Sequence, residues 1–257
     1  MNRITRLFET KKQNILSIYF TAGYPALNDT VRTIKALDKA GVDLIEIGMP
    51  FSDPIADGKV IQKSNDMALS NGMSMKLLFN QLKNIRNSTD IPLILMGYFN
   101  PFYKYGIENF LSKCKEIGID GVIIPDLPLE EYLDSYQKLF DEKDIINIFL
   151  ISPQTPEKRI IRIDSFSKGF IYIVSSRGTT GASKSFDESH LSYFQKIVDL
   201  NLKNPGLIGF GISDSETFKL ACNYANGAII GSSFIKSMNE QNDLSINVEN
   251  FVRQIRA

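Results

Sequence analysis

The chain is poor in the residue types that build metal centres and disulfide frameworks. It has one histidine and two cysteines, so a His/Cys metal cluster is excluded and no metal ligands are assigned. A Ser-His-acid triad would depend on His190 alone. Cys114 and Cys222 both fall in predicted helices, which is typical of buried thiols in a reducing compartment and predicts a cytoplasmic protein.

An excess of one charge and long apolar runs are also missing. Lys+Arg and Asp+Glu each total 29 among 257 residues, so the formal net charge is +0 and nothing favours nucleic acid or an anionic membrane as a partner. No apolar run reaches the roughly 20 residues that span a bilayer. No apolar stretch follows the basic N-terminal residues, so a secretory signal is not expected.

What the sequence does contain is a regular alternation of short apolar runs and longer amphipathic segments. The apolar runs, which predict strands, are Ile15–Phe20, Val42–Ile47, Pro92–Met96, Gly121–Ile124, Ile145–Leu150, Phe170–Val174, Leu207–Phe210 and Gly227–Ile230. The amphipathic segments, which predict helices, are Asn28–Ala40, Lys59–Ser70, Lys76–Arg86, Ile107–Ile117, Leu129–Phe140, Pro156–Phe166, Asp187–Leu200, Ser215–Asn223 and Ile246–Ile255.

This alternation predicts an α/β fold in which crossover helices join parallel strands. An open doubly wound sheet usually has its glycine-rich turn after the first strand, whereas here such turns follow the sixth, seventh and eighth predicted strands. We therefore predict a (β/α)8 TIM barrel, a single domain over residues 1–257. Ile4, Leu7 and Phe8, at helical spacing, predict a short N-terminal helix packed on it.

The most informative stretch runs from Ile45 to Gly58. Glu46 lies in an apolar strand, on the same predicted face as Val42 and Leu44, and a loop rich in Pro, Asp and Gly follows and ends near Asp57. A carboxylate in an apolar strand is costly unless it is paired or protonated. Two carboxyl groups in unlike environments can divide acid and base roles, so we predict an active site at this strand end.

Three glycine-bearing turns follow the late strands: Gly178–Gly181, Gly209–Ser213 and Gly231–Ser233. Glycine allows backbone N–H groups to approach an anion closely, and the loops after barrel strands seven and eight are a recurrent phosphate site. We therefore predict a phosphorylated substrate.

Together these stretches resemble the tryptophan synthase alpha subunit family over essentially the whole chain. The matching motifs are Y-F-T-A-G-Y-P (Tyr19–Pro25), I-E-I-G-M-P-F-S-D-P-I-A-D-G (Ile45–Gly58), P-D-L-P (Pro125–Pro128), G-T-T-G (Gly178–Gly181), G-F-G-I-S (Gly209–Ser213) and I-G-S-S (Ile230–Ser233). The resemblance implies retro-aldol cleavage of indole-3-glycerol phosphate to indole and glyceraldehyde 3-phosphate. It also implies that Glu46 is the general acid and that Asp57 binds the indole N–H.

The resemblance assigns further residues to the substrate. Tyr172 matches a tyrosine near the acid, and Thr180 matches a loop residue that positions Asp57. The aromatic and apolar side chains expected to line the indole site are Tyr19, Met96, Tyr172 and Phe210. The residues that match the phosphate-binding turns are Gly181, Gly211, Gly231 and Ser232.

The resemblance also implies a partner, a tryptophan synthase beta subunit, in an alpha2beta2 heterotetramer. No cofactor is expected in this chain, because the pyridoxal phosphate belongs to the beta subunit. The contact surface would be formed by the proline-rich loops at the barrel mouth, represented by Pro50, Asp53, Asn100 and Asp126.

Two alternatives remain open at this point. The first is a sugar-phosphate isomerase or epimerase built on the same phosphate-binding barrel; an aromatic lining suits an indole ring better than an open sugar. The second is a non-catalytic subunit that only activates a beta partner; retention of both Glu46 and Asp57 argues against it.

Overall fold

The strands form one parallel sheet that closes on itself in the computed structural model, which describes residues 1–54, 57–175, 186–239 and 243–257. The strands in these ranges are β1 (Ile15–Thr21), β2 (Leu44–Gly48), β3 (Leu93–Met96), β4 (Gly121–Ile123), β5 (Ile146–Ile151), β6 (Ile171–Val174), β7 (Gly206–Gly209) and β8 (Gly227–Ile230). Each strand pairs with the next, and β8 pairs back with β1. The closed ring confirms the predicted (β/α)8 TIM barrel. That residues 1–257 form a single domain stays a prediction.

Helices connect successive strands around this ring. Those in the described ranges are α1 (Arg3–Thr10), α2 (Asp29–Lys39), α3 (Lys59–Ser70), α4 (Met75–Leu82), α5 (Phe99–Tyr105), α6 (Ile107–Ile117), α7 (Leu129–Glu131), α8 (Gln137–Lys143), α9 (Glu157–Phe166), α10 (Glu188–Asp199), α11 (Ser215–Cys222), α12 (Ser232–Ser237) and α13 (Leu244–Arg256). A 3-10 turn covers Ile85–Asn87, and a π-helical turn, Tyr132–Tyr136, joins α7 to α8. Within the described ranges no helix has the length and apolar character needed to cross a membrane.

Helices α5 and α12 are not predicted by the sequence pattern, and several predicted elements have the wrong ends. The predicted helix Lys76–Arg86 stops at Leu82, and the predicted Leu129–Phe140 is interrupted by the π-helical turn. In α5, Pro101 occupies the first turn, where proline is tolerated. Phe102 is fully buried there, with its ring centroid 4.4 Å from that of Phe110, and this packing outweighs a weak helical pattern.

Two hydrophobic cores lie on the two sides of the sheet. The inner core fills the barrel and contains Leu44 of β2, whereas the outer core lies between strands and helices and contains Ile45 and Ile47. Val42 was predicted to share the inner face with Leu44, but β2 begins only at Leu44 and Val42 packs in the outer core. The alternation that starts at Leu44 fixes the direction of every later side chain in the strand.

The predicted N-terminal helix, α1, packs on the barrel and closes its N-terminal end. Ile4 is fully buried in the inner core, and the Phe8 ring lies 5.6 Å from that of Phe170. Arg3 forms a salt bridge of 3.1 Å with the buried Asp120, which holds the helix in place. With this end closed, the C-terminal mouth is left for a ligand.

Candidate active site

Glu46 lies inside the barrel near the C-terminal end of β2. It follows Leu44 by two residues and therefore points to the same inner side, where its sheet neighbours are Tyr19 of β1 and Ile94 of β3. Its side chain is fully buried, and burial raises the pKa of Glu46 from its ordinary 4.5 to about 8, although a hydrogen bond from Ser17 opposes the shift. The neutral form of Glu46, which can donate a proton, is therefore favoured at pH 7.

The two carboxyl oxygens of Glu46 have different surroundings. Ser17 Oγ donates a hydrogen bond of 2.7 Å to Oε1. Oε2 is buried and has no hydrogen-bond partner among the residues that the structure describes. Because buried polar atoms are normally paired, Oε2 is the atom of this group that is ready to meet a ligand.

The raised pKa of Glu46 predicts a stability that falls with pH. Between about pH 4.5 and 8 the folded chain holds a proton that the unfolded chain releases, so the free energy of unfolding decreases as the pH rises through this window. The Glu46→Gln variant lacks this proton, so its stability relative to wild type should increase by about 4 kcal/mol from pH 5 to pH 9. Urea unfolding at both pH values measures the change.

The matched control is Glu249→Gln, which removes an exposed carboxyl group on α13. Its stability relative to wild type should stay within about 0.5 kcal/mol over the same range. If the stability of Glu46→Gln relative to wild type also stays constant between pH 5 and pH 9, Glu46 is ionised in the folded chain at neutral pH.

Asp57 is half-buried in the loop before α3, and three contacts hold it there. Its N–H donates to the carbonyl oxygen of Pro54 at 3.1 Å, and Gln62 Nε2 donates to the carbonyl oxygen of Asp57 at 2.9 Å. Tyr98 Oη donates to Asp57 Oδ2 at 3.3 Å. Burial raises the pKa of Asp57 from 3.8 to about 6, and the Tyr98 bond opposes this, so the carboxylate form predominates at neutral pH.

Tyr19 of β1 and Tyr172 of β6 each lie near both carboxyl groups. Burial is the main cause of the raised pKa of each tyrosine, and the negative charges of both Glu46 and Asp57 raise each pKa further. Both carboxyl groups therefore lie within electrostatic range of both hydroxyls. The loop carboxylate and the strand acid therefore lie near the same pair of tyrosines.

Two glycines make room for these tyrosine rings. A Cβ atom on Gly48 would lie 2.1 Å from Tyr19 Oη, and one on Gly209 would lie 2.3 Å from Tyr172 Oη. Any larger residue would displace a ring, so the ends of β2 and β7 must carry glycine for the tyrosines to lie as they do.

The remaining predicted lining residues meet at the top of the inner core. Met96 and Phe210 are half-buried and pack against it, as do Leu150 and Val174. The Phe210 ring meets the Tyr172 ring at an interplanar angle of 65°, with centroids 6.3 Å apart. An apolar mouth that offers aromatic edges and faces suits a flat aromatic ligand.

The predicted phosphate turns that the structure describes follow neighbouring strands. Gly211 comes after β7, whereas Gly231 follows β8 directly and Ser232 begins α12. Gly211 has a φ of +76°, which favours glycine. Thr180 and Gly181, predicted for the same ligand, lie outside the described residues.

The loops predicted to contact a partner lie on one arc of the mouth, after β2, β3 and β4. Asp53, Asn100 and Asp126 are exposed there and Pro50 is half-buried. Asp126 Oδ1 accepts a hydrogen bond of 2.9 Å from the Phe99 N–H, which ties the loop after β4 to the loop after β3. We call this arc, Pro50, Asp53, Asn100 and Asp126, the β2–β4 rim.

Three residues of the site went unnoticed in the sequence: Ser17, Gln62 and Tyr98. A lone serine in a strand or a tyrosine before a helix has no local signal, because each acts on a residue 29 to 41 positions away. In the described ranges no group of three or more His, Cys, Asp or Glu side chains could hold a metal ion. His190 instead accepts a bond of 3.3 Å from the Asp187 N–H, which caps α10.

The fold and the site define a class of protein. A TIM barrel whose mouth carries a buried strand-end glutamate with a raised pKa, a loop carboxylate and an aromatic lining has the features of barrel enzymes that use paired carboxyl groups for acid–base chemistry.

The comparison with known proteins names the family within this class. The family model described as tryptophan synthase alpha chain matches residues 6–256, and the chain belongs to that family. The chain is 57% identical to the alpha chain of Flavobacterium psychrophilum over 255 residues, which cover 99% of this chain and 100% of that one. It is also 57% identical to that of Flavobacterium johnsoniae, with complete coverage of both chains.

Solved structures agree with this assignment. The tryptophan synthase alpha subunit of the hyperthermophile Pyrococcus furiosus is 33% identical, superposes with a TM-score of 0.87, and covers 96% of this chain and 99% of its own. A tryptophan synthase complex from the same organism has a TM-score of 0.86 at the same identity and coverage.

Proposed function

We propose that this chain cleaves indole-3-glycerol phosphate into indole and glyceraldehyde 3-phosphate, as a carbon–carbon lyase of tryptophan biosynthesis. The observation that carries the proposal is the state of Glu46: a fully buried, mostly protonated acid at the barrel mouth, with one oxygen unpaired among the described residues. Carbon–carbon cleavage that leaves an indole needs such a proton at the ring carbon.

In the proposed retro-aldol step, Glu46 both gives a proton and takes one back. Its carboxyl group gives a proton to indole C3, which makes the ring a leaving group, and becomes a carboxylate. The bond between C3 and the glycerol carbon then breaks, and the hydroxyl on that carbon becomes the aldehyde as its proton passes to Glu46. Glu46 ends each turnover protonated, so no external acid or base is consumed.

Asp57 supplies the negative charge that this step needs. Protonation at C3 places positive charge on the indole ring, largely at nitrogen, and a carboxylate that accepts the indole N–H stabilises it. The Asp57 pKa of about 6 leaves the group ionised at the pH where Glu46 is still protonated. Tyr19, Met96, Tyr172 and Phe210 would hold the ring between the two groups.

The substrate phosphate would bind at the turns after β7 and β8. Backbone N–H groups near Gly211, Gly231 and Ser232 would bind it, and the family resemblance assigns Gly181 to the same ligand and Thr180 to the positioning of Asp57. These assignments rest on the family motifs and on the adjacency of β7 and β8 in the ring.

An added charge at Ser232 tests the phosphate site. Ser232 is exposed, so Ser232→Asp should fold normally and repel the phosphate, raising KM for the substrate at least about tenfold. Ser232→Asn has nearly the same size without the charge and should raise KM less than about threefold. Steady-state kinetics of both variants measure these KM values. Equal KM values for the two variants would show that the substrate phosphate does not bind at this turn.

The family also implies a beta-subunit partner. We propose that the partner docks on the β2–β4 rim, whose exposed polar side chains and half-buried Pro50 lie at the mouth from which indole would be released. Pyridoxal phosphate would be bound by that beta chain, and the assembly would be an alpha2beta2 heterotetramer. Indole is small and neutral, so direct transfer at the mouth would prevent its loss.

One experiment addresses the function as a whole. Indole production from indole-3-glycerol phosphate is measured with the purified chain alone and after mixing with the beta chain of its own organism, and sedimentation reports the complex. We expect slow turnover alone and faster turnover in the complex. Association without indole production in either sample would make the chain a non-catalytic activator, and turnover of a sugar phosphate alone would make it an isomerase or epimerase.

A further inference from the structure

Ser17 is buried inside the barrel below the mouth. It lies two residues before Tyr19 on β1, so both side chains point inward and Ser17 is one layer deeper. Its side chain is fully buried, and in the part of the chain that the structure describes its one side-chain hydrogen bond goes to Glu46. Among the described residues, the buried Ser17 hydroxyl therefore has Glu46 as its one side-chain hydrogen-bond partner.

The direction of this bond distinguishes the two oxygens of Glu46. Ser17 Oγ–H donates to Oε1, so Oε1 is an acceptor and a proton on the neutral carboxyl group belongs on Oε2. Because Ser17 lies one layer deeper than Glu46 and binds Oε1, Oε2 is the oxygen that remains for a ligand at the mouth. Oε2 is buried and without a partner in the described residues, as this arrangement requires.

We propose that Ser17 is a positioning residue that assigns the transferable proton of Glu46 to Oε2. The inference rests on the proposed role of Glu46 in proton transfer. When Oε2 gives its proton to indole C3, the Ser17 hydrogen bond to Oε1 stabilises the carboxylate that forms. When the carboxylate takes the hydroxyl proton back, the same bond returns it to Oε2, so the acid is ready for the next turnover.

The test variant is Ser17→Ala, which removes the donor with little loss of volume. Without the bond the Glu46 carboxylate is less stable, so its pKa should rise by about one unit. We expect the alkaline limb of the kcat profile to move up by the same amount. At pH 7, kcat should fall about tenfold while KM changes less than about twofold.

Three further variants separate positioning from a structural role. Ser17→Thr keeps the hydroxyl and should restore the wild-type profile, and Ser17→Cys, with its weaker donor, should give an intermediate shift. Ser167→Ala removes another buried hydroxyl, whose bond goes to the Ile163 carbonyl oxygen at the end of α9, and should leave the profile unchanged. If the Ser17→Thr variant does not fold, the shift should still be smaller in Ser17→Cys than in Ser17→Ala.

A direct titration makes the test independent of catalysis. Carbon-13 NMR of the chain labelled at glutamate carboxyl carbons follows Glu46, whose signal is identified by its loss in Glu46→Gln. A midpoint about one unit higher in Ser17→Ala supports the proposal, and an unchanged midpoint with an unchanged kcat profile overturns it. If Glu46→Gln itself retains full turnover, the proposed function fails while the titration still reports on the Ser17 bond.

Discussion

Glu46→Gln is expected to lower kcat for indole-3-glycerol phosphate cleavage by about a thousandfold, with little change in the dissociation constant of the substrate. A positioned proton donor contributes about 10² to 10⁴ in rate, and the amide has no proton to give at C3. The side chain keeps its length, and its carbonyl oxygen can still accept the Ser17 hydrogen bond that now reaches Oε1. Single-turnover kinetics measure the chemical step, and calorimetry measures binding.

Glu46→Asp is the matched control for this experiment. It retains the acid but withdraws it by one methylene, and misplacement on the order of 1 Å costs about a hundredfold. We therefore expect the Asp variant to lie between wild type and Gln in rate. A Gln variant within tenfold of wild type would show that the proton comes from another group.

Asp57→Asn should lower kcat/KM by about 10² to 10³, because an amide cannot balance the positive charge that develops at the indole nitrogen. The pH profile gives a second measure. With Asp57 titrating near 6 and Glu46 near 8, wild-type activity should rise through the first value and fall through the second. The acid limb should vanish in the Asn variant, because the group that titrates is gone.

Tyr98→Phe provides the control for Asp57. Its hydroxyl donates to Asp57 Oδ2 and lowers the pKa of that carboxyl group, so its removal should move the acid limb upwards and spare most of the rate at pH 8. An Asp57→Asn variant that works within threefold of wild type across pH 6 to 8 would reduce Asp57 to a turn-forming residue.

Much of the fold follows from the sequence because a strand buried on both faces leaves a strong apolar signal. The run that ends at Ile47 predicted β2, and its alternation placed Leu44 and Glu46 on the inner side, as observed. The start of the same strand was wrong, since Val42 is apolar like Leu44 and nothing in its residue type distinguishes the inner from the outer core.

The site was less predictable than the barrel. Glu46 was visible because a charge in an apolar strand conflicts with its surroundings, and Asp57 because it ends a loop of turn-forming residues. Ser17 and Tyr98 offer no such conflict. Their importance comes from contacts between distant parts of the chain, which only the closed barrel brings together.

Because β1 pairs with β8, the barrel is closed only when its last strand is in place, and we expect the enzyme's activity to depend on this closure. Ile15 of β1 is paired with Gly227 of β8, so β1 gains this neighbour only after the last strand has been synthesised. The chain segment between these two residues is most of the polypeptide. A chain still emerging from the ribosome holds Glu46 and Asp57 long before Gly231 has been synthesised. If Gly231 helps to bind the substrate phosphate as proposed, such a nascent chain lacks part of its substrate site, and we expect indole production only after β1 and β8 have paired.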